Sequence, residues 1–330
     1  MRIAIDVREV CRANPAGKGM WTRRCTEALI ASKEHEFILL SDCEVPASLQ
    51  GENVQSIVFP GGWRWHLAVR RALKKDPPDV YLSTTSFIVP SLVGKSVPCA
   101  QVVHDLIAFL PDAHDRKAVL LERIFLQRAL KNASSIFSIS NATTQDLVKR
   151  FPFIPNKKIS TIFAGPTLDE TTPHQADGST IMSIGTLCPR KNQLRLIQAY
   201  TLLSPALRDQ YKLVLVGGRG WQDEEIVKLA QSTDGVEWKG YISDKELDVM
   251  MASATVFALP SLYEGFGIPV LDAMQRGIPV LTSANGSLPE VAGDAAVYVD
   301  PMDTRSIADG LEKILTDSEL RSSLSERGMV

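Results

Sequence analysis

The chain has 330 residues, 45% of them apolar and 22% charged, with 36 Lys and Arg against 38 Asp and Glu for a net charge of −2. That length exceeds one ordinary core and predicts two domains of a globular protein, and the charge balance excludes a global basic field for nucleic acid. Cys11, Cys25, Cys43, Cys99 and Cys188 are odd in number, scattered and without a CxxC pair, which argues against a zinc site or disulfide framework and for a reducing compartment.

Short apolar runs alternate with segments of helical period, the pattern of α/β domains with parallel sheets. In the first half it predicts strands at 2–6, 36–40, 54–59, 79–83, 99–103, 135–140 and 159–163. Helices are expected near 20–32, 65–75, 118–131 and 142–151. The polar stretch 164–179, AGPTLDETTPHQADGS, lacks apolar periodicity and reads as a linker. Strands then resume at 180–184, 212–216, 236–238, 255–259, 279–283 and 296–299, with helices near 193–203, 223–231, 244–252, 268–276 and from 305 through 316 onward. The expected architecture is two Rossmann-like βα domains, 1–165 and 166–330, facing a central cleft. No apolar run reaches the roughly 18 residues of a membrane span, and Asp6 interrupts the opening strand too early for a signal peptide, so a cytoplasmic location is expected.

Ligands of such sheets sit beyond the carboxyl ends of the strands, so the segments there carry the functional reading. Gly17 and Gly19 flank Lys18 and open the first helix, where their backbone could cradle a phosphate or sugar. In GGWRWHLAVRRALKK, Trp65, Val69 and Leu73 form one helical stripe and Arg64, Arg71 and Lys75 another face. This reads either as a half-buried helix or as one lying on a membrane surface. His104 and Asp105 end the apolar run QVVHD.

In the second half, Gly185 ends a strand, and Arg190 and Lys191 stand just before the next helix, where cations oppose the helix dipole unless a diphosphate is bound. Gly217-Gly218-Arg219-Gly220 follows another strand but does not satisfy GxGxxG, which disfavours a nicotinamide-dependent oxidoreductase. The fullest signal is SLYEGFGIPVLDAM: Glu264, then Gly265, Phe266 and Gly267, then Pro269 at a helix start and Asp272 about a turn in. Glycines at a helix N-terminus admit an anion to the backbone, and two nearby carboxylates suit sugar or ribose hydroxyls.

Together these segments resemble glycosyltransferase family 4, the retaining enzymes of GT-B fold, over nearly the whole chain. MRIAIDVREV and GKG resemble its opening strand and glycine loop, VVHDL its His-Asp strand end, and SISNATTQDLVKRF the strand end and helix that follow. GTLCPRKN resembles its diphosphate segment, in a style similar to bacterial polysaccharide mannosyltransferases. GYISDKELDVMMASA resembles its base-binding turn, and YEGFGIPVLDAM its paired-carboxylate signature, with SLPEVAGDAAVYVDP after it.

The resemblance implies a hexose, mannose among the candidates, moved from a GDP- or UDP-linked donor to a glycan or lipid-linked acceptor. It implies no metal and no other cofactor. Arg190 and Lys191 would hold the diphosphate, Glu264 the donor sugar, Asp272 the ribose, and Tyr241 and Ile242 the base. The N-terminal domain would bind acceptor, with His104 near the transferring sugar; peripheral contact at the inner face of a membrane is a further expectation. Three features depart from the family pattern. Asp272 replaces a Glu, Thr186 stands where many members carry Arg, and the sequence ends at Val330 where members usually continue into a helix crossing back to the first domain. The alternative they keep open is a non-catalytic nucleotide-sugar-binding subunit of a glycan-synthesis complex.

Overall fold

A computed structural model describes residues 1–12, 17–110, 116–168 and 172–329. The chain divides into two compact units, Met1–Thr167 and Leu168–Val330. The first contains β1 (Arg2–Asp6), α1 (Gly17–Ala31), β2 (Glu36–Ser41), β3 (Val54–Val58), α2 (Trp63–Lys75), β4 (Val80–Ser83), α3 (Ile88–Val93), β5 (Cys99–Val103), α4 (Arg116–Asn132), β6 (Ser135–Ser138), α5 (Asn141–Arg150) and β7 (Ile159–Thr161). Its strands are parallel in the order β3-β2-β1-β4-β5-β6-β7. From β1 the chain runs outward through β2 and β3, then returns across β1 to β4. The order therefore reverses between β1 and β4, whose carboxyl ends are Asp6 and Ser83.

The second unit contains β8 (Thr180–Ile184), α6 (Gln193–Thr201), α7 (Pro205–Gln210), β9 (Lys212–Val216), α8 (Glu224–Ser232), β10 (Val236–Trp238), α9 (Asp244–Ser253), β11 (Val256–Leu259), α10 (Ile268–Gln275), β12 (Val280–Ser283), α11 (Leu288–Ala292), β13 (Ala296–Val299), α12 (Thr304–Thr316) and α13 (Ser318–Gly328). Its parallel order, β10-β9-β8-β11-β12-β13, reverses between β8 and β11, so the loops after Ile184 and Leu259 flank its switch point. Helices cover both faces of each sheet, which is why β5, β11 and β12 are buried along their whole length. One core cluster of the second unit packs α6 and α12 on one face, and another packs α10 on the other.

Every expected strand forms, shortened at some ends by one or two residues. Three helices were not foreseen: α3, α7 and α11 have six, six and five residues, too few for an apolar period to show. Helix α1 begins at Gly17, so Gly17, Lys18 and Gly19 form its first turn instead of a loop before Met20. The first N–H groups of a helix have no intrahelical acceptor, so glycines are tolerated there. The α2 stripe of Trp65, Val69 and Leu73 lies in the core, packed with Tyr81 and Cys99, and is not a membrane-facing surface.

The expected linker is not free either. Gln175 and Asp177 donate their backbone N–H groups to Ala252 and Ser253 at the carboxyl end of α9, and Asp177 accepts from Ser179, Thr180 and Thr255. The unpaired carbonyls at a helix end need donors, and this polar strap supplies them. Among the described residues, no helix is long and apolar enough to cross a membrane.

Candidate active site

At the switch point of the second sheet, the loop after β8 and the loop after β11 bring Arg190, Lys191 and Glu264 together. Lys191 Nζ lies 2.6 Å from Glu264 Oε1, and Arg190 Nη1 lies 2.8 Å from Glu264 Oε2. Arg190 Nη1 also donates to the Tyr263 carbonyl at 2.8 Å, and Ser261 Oγ donates to Glu264 Oε1 at 2.7 Å. Lys191 and Glu264 are buried.

Burial alone would raise the Glu264 carboxyl, but Lys191, Arg190 and the Ser261 hydrogen bond outweigh it and hold the group at about 2. Burial also pulls the Lys191 ammonium below its ordinary value, and Glu264 partly offsets this. At neutral pH the cluster is one carboxylate under two cations, and its excess positive charge suits an anion.

The local fold explains the meeting. Residues 189–191 form a single tight turn, and Asn192 takes a left-handed backbone, φ 63°, before α6 begins. The buried Asn192 amide donates to the carbonyls of Pro260 and Pro301 at 2.9 and 2.7 Å, and Leu262 N–H donates to the Arg190 carbonyl. These bonds tie the cationic loop to the loop that carries Glu264.

From the other side, the loop after β12 braces Glu264. Ser287 Oγ donates to the carbonyls of Glu264 and Phe266, and Ser283 Oγ to that of Ser261. Gly286 has φ 61°, and a Cβ there would sit 2.4 Å from the Glu264 carbonyl oxygen, so glycine is required. Gly265 and Phe266 continue the loop to Gly267, which precedes α10 with φ 104°.

Gly185 packs against the cluster, since a Cβ on it would lie 3.0 Å from Lys191 Cε. Gly217 N–H donates to the Gly240 carbonyl, which brings the loop before Tyr241 and Ile242 to the same strand-end edge. Tyr241 is exposed, while Ile242 packs on the α10 side of the core. Asp272 is buried on α10, where its Oδ1 accepts the Leu168 N–H at 3.3 Å. Thr186 is exposed.

The remaining expected residues belong to the first unit and gather at its own switch point. His104, after β5, donates from Nε2 to the Thr84 carbonyl at 2.8 Å, and Thr84 Oγ1 donates to the Asp6 carbonyl. Burial and the nearby Lys18 charge lower His104 to about 4, so the imidazole is neutral at pH 7. Lys18 Nζ lies 3.0 Å from Asp105 Oδ2, which joins the turn of Gly17 and Gly19 to the His-Asp strand end. Asp105 is held below the usual carboxylate range: burial would raise it, but Lys18 and the Ile107 N–H outweigh that.

Sequence reasoning did not select Lys18, Asn192, Ser261 or Ser287 as site residues. Lys18 sits inside the glycine motif and Ser261 at a strand end, so position alone could have nominated both. The pairing of Asn192 with Pro301 and of Ser287 with Glu264 spans 109 and 23 positions and has no local signal.

Residues 23–170 match the family model Glycosyltransferase Family 4, and residues 166–329 match Glycosyl transferases group 1. O-antigen chain mannosyltransferase B of Escherichia coli is 31% identical over 271 residues, covering 77% of this chain and 70% of that protein. O-antigen chain mannosyltransferase RfbU of Salmonella typhimurium is 25% identical over 325 residues, covering 92% and 89%. Sucrose-phosphate synthase of Thermosynechococcus elongatus shares the GT-B fold with a TM-score of 0.80 at 20% identity, covering 100% of this chain and 93% of that one. With both halves matched by models of one enzyme class, the chain belongs to glycosyltransferase family 4 and is a retaining glycosyltransferase.

Proposed function

We propose that this glycosyltransferase moves a hexose, mannose in the first instance, from a nucleoside-diphosphate sugar to a hydroxyl of a glycan or lipid-linked acceptor. The observation that carries the donor reading is the Glu264 carboxylate held ionised between Lys191 and Arg190 at the strand-end switch point. The names of two relatives, both O-antigen chain mannosyltransferases, support mannose and a polysaccharide acceptor.

In this reading the second unit holds the donor and the first the acceptor. Arg190, Lys191 and the backbone of Gly265–Gly267 take the diphosphate, with Gly185 leaving room beside Lys191. Glu264 takes sugar hydroxyls, Asp272 the ribose, and Tyr241 and Ile242 the base. Gly17, Gly19 and His104 serve the sugar from the first unit.

The bond from the anomeric carbon to the diphosphate oxygen breaks, and the diphosphate leaves with the electron pair. The acceptor oxygen bonds the same face of that carbon, and its proton passes to the departing phosphate oxygen. Charge growing on that oxygen meets the preorganised Arg190 and Lys191, which need no reorganisation to receive it.

The test is thermal stability with GDP, UDP and ADP and their mannose and glucose conjugates, each with and without chelator. A ligand at a hundred times its dissociation constant stabilises by ~2.7 kcal/mol. The expected result is a shift selective for GDP and its mannose conjugate, unchanged by chelator. A shift confined to UDP conjugates would overturn mannose, and none with any nucleotide would overturn the donor site.

A further inference from the structure

The second unit holds a buried ion pair that the transfer reading leaves unused. Arg276 stands at the carboxyl end of α10, and its Nη2 lies 2.7 Å from Asp248 Oδ1 of α9. The two side chains are only 1% and 5% exposed. The attraction between two buried charges repays their loss of water only when further hydrogen bonds satisfy them, and packed apolar side chains in their place are often as stable. Stability alone therefore does not call for this pair, and the groups it holds point to its use.

Both partners lead to Asp272. Arg276 Nη1 donates to the Asp272 carbonyl at 3.0 Å, one turn back along α10. Asp248 Oδ2 accepts from Thr172 Oγ1 at 2.9 Å, in the polar strap before β8. The same strap donates the Leu168 N–H to Asp272 Oδ1 at 3.3 Å. Asp272 is gripped twice, by its backbone through Arg276 and by its carboxylate through the strap, and Asp248 joins the two grips. Asp248 lies one turn into α9, whose cap, Ser243, directly follows Tyr241 and Ile242. The circuit thus links the helix of the proposed ribose ligand to the helix that follows the proposed base ligands.

From this we infer that Arg276 and Asp248 are positioning residues for the nucleotide, setting the Asp272 carboxylate where the ribose hydroxyls meet it. This deepens the donor reading and rests on it. Asp272 stands where the family pattern has Glu, so it is one methylene shorter. Hydrogen bonds to a diol hold over a range of only about half an ångström. A short carboxylate reaches that range only from a fixed place on its helix, and the circuit supplies the fixation. Arg276 and Asp248 are themselves buried and act through Asp272.

The experiment is calorimetric binding of three ligands to the full chain: GDP, its dideoxy analogue lacking both ribose hydroxyls, and inorganic pyrophosphate, with UDP and its analogue in parallel. The parent should prefer the nucleotide over the dideoxy analogue by about tenfold or more, the worth of hydroxyls bonded to a charged carboxylate. The double variant Asp248→Leu with Arg276→Met removes both charges together and should melt near the parent. In it the preference should fall to about twofold or less, while pyrophosphate binds as before. A preference retained in the folded double variant would overturn the proposal. So would an equal loss for all three ligands, the mark of a generally loosened fold. Thr172→Val opens the circuit at one bond with the ion pair intact, and serves if the double variant does not fold. Its preference should fall severalfold, and an unchanged one would count equally against the proposal. A parent that binds nucleotide and dideoxy analogue alike would remove the ribose role of Asp272 and this inference with it; a parent that binds none of the ligands would overturn the donor reading itself.

Discussion

At the residue scale, the proposed reading gives the Lys191–Glu264 pair a part in both stability and chemistry, and the two can be separated. Lys191→Ala leaves the buried Glu264 carboxylate with Arg190 and Ser261 but without its nearest cation, 2.6 Å away in the parent. Removing one partner of a buried pair destabilises by about 3–5 kcal/mol, and Arg190 places the expected loss at the low end. Turnover should fall by about 10²–10³, the usual consequence of deleting one preorganised donor. The double variant Lys191→Ala with Glu264→Gln should regain much of the melting temperature without regaining activity. Recovery of both together would make Lys191 a structural residue only. The sequence nominated Arg190 and Lys191 as anion ligands from their position before a helix; that their partner in the folded chain is Glu264, 74 and 73 positions on, depends on two loops meeting.

At the element scale, the active loops are held by side chains that no periodicity reveals. Asn192 adopts φ 63° and donates to two carbonyls from different loops. Asn192→Gly keeps the left-handed turn free of strain and removes those bonds together with the one that Asn192 Oδ1 accepts from Arg195, for an expected stability loss of about 1–3 kcal/mol. Nucleotide affinity, measured calorimetrically, should fall as the Arg190 loop comes away from Pro260. Unchanged affinity would mean that the Leu262 N–H and the bonds of Arg190 and Lys191 to the Glu264 loop hold it without Asn192. Most strands were legible as short apolar runs, and the central β5, β11 and β12 are buried on both faces of their parallel sheets while the edge strands β3, β7 and β10 are only partly buried. Helices α3, α7 and α11 were not, because a helix of five or six residues shows less than two turns of pattern. The polar strap before β8 read as a linker because its hydrogen bonds are made by backbone groups, which composition does not report.

At the scale of the whole molecule, the two units face acid differently. His66 and His104, both in the first unit, are held at about 4, burial being the first cause in each. From about pH 6.5 down to that value, the unfolded chain binds protons that the folded unit refuses. The stability of the first unit therefore falls as pH drops through this window and levels off below it. Glu264, in the second unit, is held at about 2, so its contribution is present above the ordinary carboxylate value and is lost only as pH falls toward 2. Hydrogen exchange at pH 5 should show the first unit, Met1–Thr167, losing protection relative to pH 7 more than Leu168–Val330. His104→Gln should shrink that difference; earlier loss in the second unit would contradict the assignment.

By itself the sequence determined the α/β class, the thirteen strands of the described chain and the loops proposed to bind an anion, because alternation, glycines and charges at strand ends are local properties. Only the tertiary structure decided which charges neutralise each other, that Trp65 faces the core while Trp63 faces solvent, and that α2 and α4 share a surface. Those outcomes depend on contacts between segments tens of residues apart, where burial sets the strength of each charge and packing sets which side of a helix water can reach.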